Sequence, residues 1–163
     1  MRRTVRTSLG VASALVIGLA VANCGDDSTS VDRPRYTATL SGANEKPNPI
    51  TSPGTATATF VDMGDEIDWT LSFDGLTNVV QSHIHGPADA TQNASVMINL
   101  FIPNTATGTP RPITVQGEIT NANNANVSLD SLRTLFNNGH AYVNIHTSAN
   151  LGGEIRGQVA RSN

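Results

Sequence analysis

Residues Glu66-Ile67-Asp68-Trp69-Thr70-Leu71-Ser72-Phe73 alternate polar and apolar without a fault. In an extended strand successive side chains point to opposite faces, so this run places Ile67, Trp69, Leu71 and Phe73 on one buried face and Glu66, Asp68, Thr70 and Ser72 in water. A helix would scatter the same residues around its axis. The chain must therefore supply a half-buried strand here, with partners to cover its apolar face. Asp74-Gly75 follows as a turn, and Met63-Gly64-Asp65 precedes it as a hairpin turn from another strand, Gly54 to Val61.

The same grammar extends along the chain. Further strands are predicted at Arg35 to Leu40, Val79 to His85, Ser95 to Phe101, Ile113 to Thr120, His140 to His146 and Glu154 to Val159. The loop Gly42 to Pro53 carries Pro47, Pro49 and Pro53 and separates the first two strands. One short helix is predicted, with Ser128 or Asp130 as its cap and Leu129, Leu132, Leu135 and Phe136 on one face, closed by Asn137-Asn138-Gly139. About eight short strands joined by turns imply an all-β fold, an antiparallel Greek-key β-sandwich or flattened barrel. Charged residues make up 14% of the chain, with one lysine among ten basic residues, so no basic surface exists to hold nucleic acid.

The amino terminus has a different texture. Arg2, Arg3 and Arg6 precede an uncharged apolar run, Leu9 to Ala22, which is shorter than the roughly 20 residues a membrane-spanning helix needs. This is the pattern of an export signal, predicted over residues 1–23. The single cysteine, Cys24, stands directly after it, and the arrangement resembles a bacterial lipoprotein signal, in which the thiol carries the lipid and begins the mature chain. Asn23 departs from the small residue usual at that position. Ordinary cleavage after Ala20-Val21-Ala22 is the alternative and would leave a soluble, periplasmic or secreted chain. Residues 24–34 read as a flexible tether and 35–163 as the folded domain. Removing residues 1–23 takes three of the ten basic residues and none of the 13 acidic ones, moving the formal charge from −3 to −6. A lone cysteine allows no intrachain disulfide, so core packing or a bound metal must stabilise the exported domain.

Two segments carry the chemistry, His83-Ile84-His85-Gly86-Pro87-Ala88 and Tyr142-Val143-Asn144-Ile145-His146-Thr147. Strand parity puts His83 and His85 on one face, with Ile84 turned to the core, and His140, Tyr142, Asn144 and His146 on one face of the later strand, away from the core. If the two strands are neighbours, His83, His85 and His146 present three imidazoles, a ligand set that suits copper or zinc. The competing reading makes these histidines hydrogen-bonding pegs for the turn that begins at Gly86-Pro87. Glu154 and Arg156 read as a surface pair or loop anchors. No Ser-His-Asp order, phosphate-binding glycine loop or Cys-x-x-Cys motif is present. The sequons at Asn93 and Asn126 matter only in a host that glycosylates exported chains.

Taken with Gly153-Glu154-Ile155-Arg156-Gly157 and the opening block Ala38 to Pro47, these segments resemble the signature of the CHRD domain, the chordin-type module also found in bacterial exported proteins. The motif residues are His83, His85, Gly86, Pro87, Asn144, His146, Gly153, Glu154, Arg156 and Gly157. The resemblance implies no general catalytic role. Together with the export signal and Cys24, the preferred reading is a non-enzymatic envelope module, displayed on a lipid anchor and binding a partner protein or polymer through its polar sheet face and loops. A copper- or zinc-binding module is the alternative, and a metal-dependent redox enzyme a more remote one. The His-x-His strand and the later strand ending in His are also similar in arrangement to the copper ligands of copper/zinc superoxide dismutase on its Greek-key barrel, without that enzyme's zinc subsite.

The anchor gives the first test. Cys24→Ser removes the only lipid attachment point, so the chain should move from the detergent-soluble membrane fraction to the soluble fraction. Wild-type protein already in the soluble fraction would select cleavage after Ala22.

Overall fold

The computed structural model describes residues 32–124 and 126–162. The predicted signal segment, Cys24 and the tether up to residue 31 lie outside the described residues. Among the described residues nine strands form: β1 (Arg35–Ser41), β2 (Thr55–Asp62), β3 (Glu66–Asp74), β4 (Val79–His85), β5 (Val96–Phe101), β6 (Ile113–Thr120), β7 (Tyr142–Thr147), β8 (Ile155–Gln158) and β9 (Ala160–Ser162), with one α-helix, α1 (Leu129–Asn137), between β6 and β7. All pairings are antiparallel. The strand order β5-β4-β7-β8-β1-β2-β3-β6 wraps the sheet almost into a barrel. The end strands β5 and β6 approach each other across the remaining seam without ladder pairing. Because β6 returns beside β3 and β7 beside β4, the connections are Greek-key ones, as the turn pattern implies.

Alternation decides which face of each strand fills the interior. Tyr36, Ala38 and Leu40 of β1, Ala56, Ala58 and Phe60 of β2, and Ile67, Trp69, Leu71 and Phe73 of β3 are all buried in one core. Trp69 faces Gly117 of β6 in register. A Cβ on Gly117 would stand 2.8 Å from Cζ2 of the indole, so the missing side chain is what makes room for the largest residue of the core. Helix α1 plugs one end. Ser128 Oγ caps it by accepting from Ser131 N, and Leu132 and Phe136 are fully buried. The Phe136 ring packs against Tyr36 and Phe60 at centroid distances of 5.2 and 4.9 Å. On the solvent side Arg133 binds the Asp62 carboxylate at 2.8 Å, which holds Asp62 below the usual carboxylate range.

Three details depart from the sequence reading. β7 begins at Tyr142, leaving His140 in an exposed turn whose carbonyl accepts from Ala88 N at 2.9 Å. The last strand breaks at Val159, whose N–H bonds the Ala141 carbonyl while its side chain enters the core. The chain then resumes as β9 against Arg35, Tyr36 and Thr37. Ala160-Arg161-Ser162 is too short and polar to announce a strand by alternation. The third difference is that β7 is buried on both faces along its whole length, which creates the site described next.

Trp69→Ala should cost about 3–5 kcal/mol in urea unfolding, the transfer term plus a cavity term. Gly117→Ala should cost about 1–3 kcal/mol by crowding the ring. A loss for Trp69→Ala no greater than for Thr70→Ala, on the opposite face, would contradict this packing.

Candidate functional site

In β4, β7 and β8 one face is core and the other is polar. Ile84 pairs with Val143, and Ile145 with Ile155, on the inner side. On the outer side stand His83 and His85 from β4, Tyr142, Asn144 and His146 from β7, and Arg156 from β8. Parity predicts that these residues share a face away from the core. It does not predict their cover: His83, His85, Asn144 and His146 are each only 4 to 7% exposed. The loops after β1, β4 and β7 fold back over them.

Arg156 organises that cover. Its guanidinium donates to the carbonyls of Asp89 and Gln92, at 3.0 and 2.8 Å, and to Asn93 Oδ1 at 2.9 Å, gripping the loop between β4 and β5. Asn93 Nδ2 in turn bonds the Lys46 carbonyl in the loop after β1, and Asn44 Nδ2 bonds the Arg156 carbonyl. Glu154, just before β8, accepts from Ser52 Oγ at 2.7 Å, Thr147 Oγ1 and Asn150 Nδ2. Burial pushes the Glu154 carboxyl up, but the bonds from Thr147, Ser52 and Asn150 outweigh it and leave it below its ordinary value. Glu154 and Arg156 are thus buried loop anchors and not a surface pair. Gly153, at φ +125°, lies against the Asn144 amide, where a side chain would be both strained and obstructed.

The three histidines meet under this cover. Their candidate ligand atoms all lie within 4.8 Å of one another. His85 Nδ1 donates to the Ala94 carbonyl at 3.0 Å, and His146 Nδ1 to the Leu151 carbonyl at 2.9 Å. Those bonds fix both tautomers and leave both Nε2 atoms as lone-pair donors. His146 Nε2 accepts from His83 Nδ1 at 3.1 Å, whereas His85 Nε2 is buried with no partner among the described residues. Burial holds all three imidazoles below the usual value, His83 most clearly, at about 4, with His146 and His85 adding to the effect. The group is therefore a neutral donor set at physiological pH. His140, the fourth histidine, is exposed and not part of it.

Two residues of this site were given no role by the sequence reading, although parity placed Tyr142 on this face. Tyr142 stacks on His85 at 4.8 Å with an interplanar angle of 2°, and the Arg156 guanidinium carbon lies 3.5 Å from the same ring's centroid. Glu45 is buried at 3% exposure and both of its oxygens accept from Asn144 Nδ2, at 3.2 and 3.3 Å. Burial pushes its carboxyl up to about 7, against the pull of Arg156 and Asn144. Its only signal was its place in the family's opening block.

A Greek-key β-barrel with a buried, loop-covered histidine cluster on its outer face is the class these features define. The chain belongs to the CHRD family, for the CHRD domain model matches residues 36–159, from β1 to the end of the β8 segment. No curated protein matches the chain.

The titration of this cluster fixes a pH dependence. The histidines are neutral when folded but take protons below about 6.5 when unfolded, so the unfolded chain binds more protons and stability rises with pH. That contribution is complete above 6.5 and is lost as the pH falls toward 4. Glu45 has the opposite sign: its contribution is complete below 4.5 and is lost as the pH rises to about 7. Three histidines outweigh one glutamate, so the metal-free melting temperature should fall between pH 6.5 and 5. Glu45→Gln should steepen that fall, and a flat profile in the variant would contradict the neutral, buried state of the imidazoles.

Proposed function

We propose that this protein is a non-enzymatic module of the cell envelope, held to a membrane by a lipid on Cys24, whose CHRD domain binds a copper or zinc ion through His83, His85 and His146. The observation that carries the reading is the unpartnered, buried Nε2 of His85, lying with His83 Nδ1 and His146 Nε2 in one cluster. Ligands about 2.0–2.1 Å from an ion stand about 3.3–3.6 Å apart, so small ring rotations, with the His83 proton moved from Nδ1 to Nε2, would convert the cluster into a three-coordinate site. Backbone carbonyls behind His85 and His146 supply the outer partners that metal-bound imidazoles ordinarily have.

Binding is favoured over turnover because a metal-dependent redox enzyme needs an open coordination position, and His85 Nε2 has no solvent access. Recognition of a protein or polymer is compatible with the fold, but the polar face of β7 is occupied by the protein's own loops. A partner would instead meet the outer faces of β2, β3 and β6 or the exposed turns. The acidic formal charge of the exported chain gives no electrostatic attraction to an anionic membrane surface, so the lipid would be its membrane contact.

Addition of Cu²⁺ or Zn²⁺ at a hundredfold excess over Kd should stabilise the folded chain by about 2.7 kcal/mol, visible as a raised melting temperature. His83→Ala, His85→Ala and His146→Ala should each abolish most of the shift, and His140→Ala should keep it. Absence of any metal-induced shift in the wild type would leave the three histidines as pegs of the fold.

A further inference from the structure

Resting on the metal reading above, we propose that the His83, His85 and His146 site holds copper preferentially as the monovalent ion, Cu(I). Three features of the site converge on a low-charge, low-coordination ion.

The first is the donor set. Among the described residues the cluster consists of three imidazoles, with neither a carboxylate nor a thiolate joining them. Neutral ligands cancel none of the ion's charge. The second is the fixed charge next to the site. Arg156 is 1% exposed, and the acceptors of its side chain, Asn93, Asp89, Gln92 and Gln158, all offer neutral oxygens. Its guanidinium reaches the site through Tyr142, whose ring is stacked on His85. The nearby acid, Glu45, is bonded to Asn144 and is not one of the residues of the histidine cluster. Desolvation cost rises with the square of an ion's charge, so a divalent ion here faces about four times the penalty of a monovalent one, beside a buried cation. The third is coordination number. Zn²⁺ takes four ligands, and a three-residue site must recruit the fourth from solvent. The covering loops leave His85 Nε2 without solvent access, whereas Cu(I), a closed-shell ion, is satisfied by two or three nitrogen donors.

The test is a potential measured on the full-length, copper-loaded protein at pH 8. Preferential binding of Cu(I) requires the Cu(II)/Cu(I) midpoint to lie above that of aquated copper, by the thermodynamic cycle that links the potential to the two affinities. Arg156→Gln removes the buried positive charge and should move the affinity ratio about tenfold toward Cu(II), lowering the midpoint by about 59 mV for a one-electron couple. Because Arg156 also anchors a loop, Glu45→Gln serves as the second variant: it removes a negative charge with little change of shape and should raise the midpoint. Shifts of opposite sign are what an electrostatic role demands and a purely structural one does not produce. A midpoint at or below that of aquated copper, with the metal still bound, would overturn the Cu(I) preference while leaving the metal site standing. Failure of Cu(I), Cu(II) and Zn(II) alike to bind would overturn both.

Discussion

Burying Arg156 is the act on which the outer face of this barrel depends. A guanidinium taken out of water costs several kcal/mol unless its donors are met, and here they are met by carbonyls and an amide oxygen of a single loop, with Tyr142 beneath. The loop between β4 and β5 therefore cannot drift from β8 without exposing unpaired donors. That tether also sets the position of Ala94, whose carbonyl orients His85 and whose N–H donates to the Tyr142 hydroxyl. A cation on one strand thus fixes a tautomer two strands away.

The consequence for the fold is a division of labour around the barrel. β1, β2 and β3 have one face in the core and one toward water, the arrangement in which alternation is easiest to satisfy. β4, β7 and β8 are covered on both sides, inner faces by the core and outer faces by loops. A second, polar interior is built on the outside of the sheet. Its members are held by hydrogen bonds rather than by close apolar packing, so its order depends on nearly every donor finding an acceptor.

This division explains what could be read from the chain beforehand. The strands and the shared face of His83 and His85 follow from periodicity, because a two-residue period leaves little choice of register once Trp69 and its neighbours must be buried. The cover could not be read in the same way. A polar face against water and a polar face against a loop give the same alternation. The distinguishing sign was composition: β3 carries Glu66 and Asp68 on its outer face, whereas β7 offers Tyr142, Asn144 and His146, with no residue of fixed charge. Glu45 and the Arg156 grip lay out of reach for another reason, since both join segments far apart in sequence through loops that carry no periodicity.

The cluster is also costly to the fold in a way that bears on its purpose. A buried acceptor left without a partner costs about 1–3 kcal/mol, and both His85 Nε2 and Asn144 Oδ1 are in that condition. Burial, and for His83 and His85 also the neighbouring rings, opposes protonation of the imidazoles, which forgoes the hydrogen bonds their charged forms would make. Pegs selected only to hold a turn would not need three rings with converging nitrogen atoms, and an apolar isostere of similar volume would serve better. An ion bound to the folded state alone contributes about 2.7 kcal/mol at a hundredfold excess over Kd, the same size as the cost of an orphaned acceptor. The balance of those two magnitudes is the physical reason for reading the cluster as a binding site whose stability is completed by its ligand.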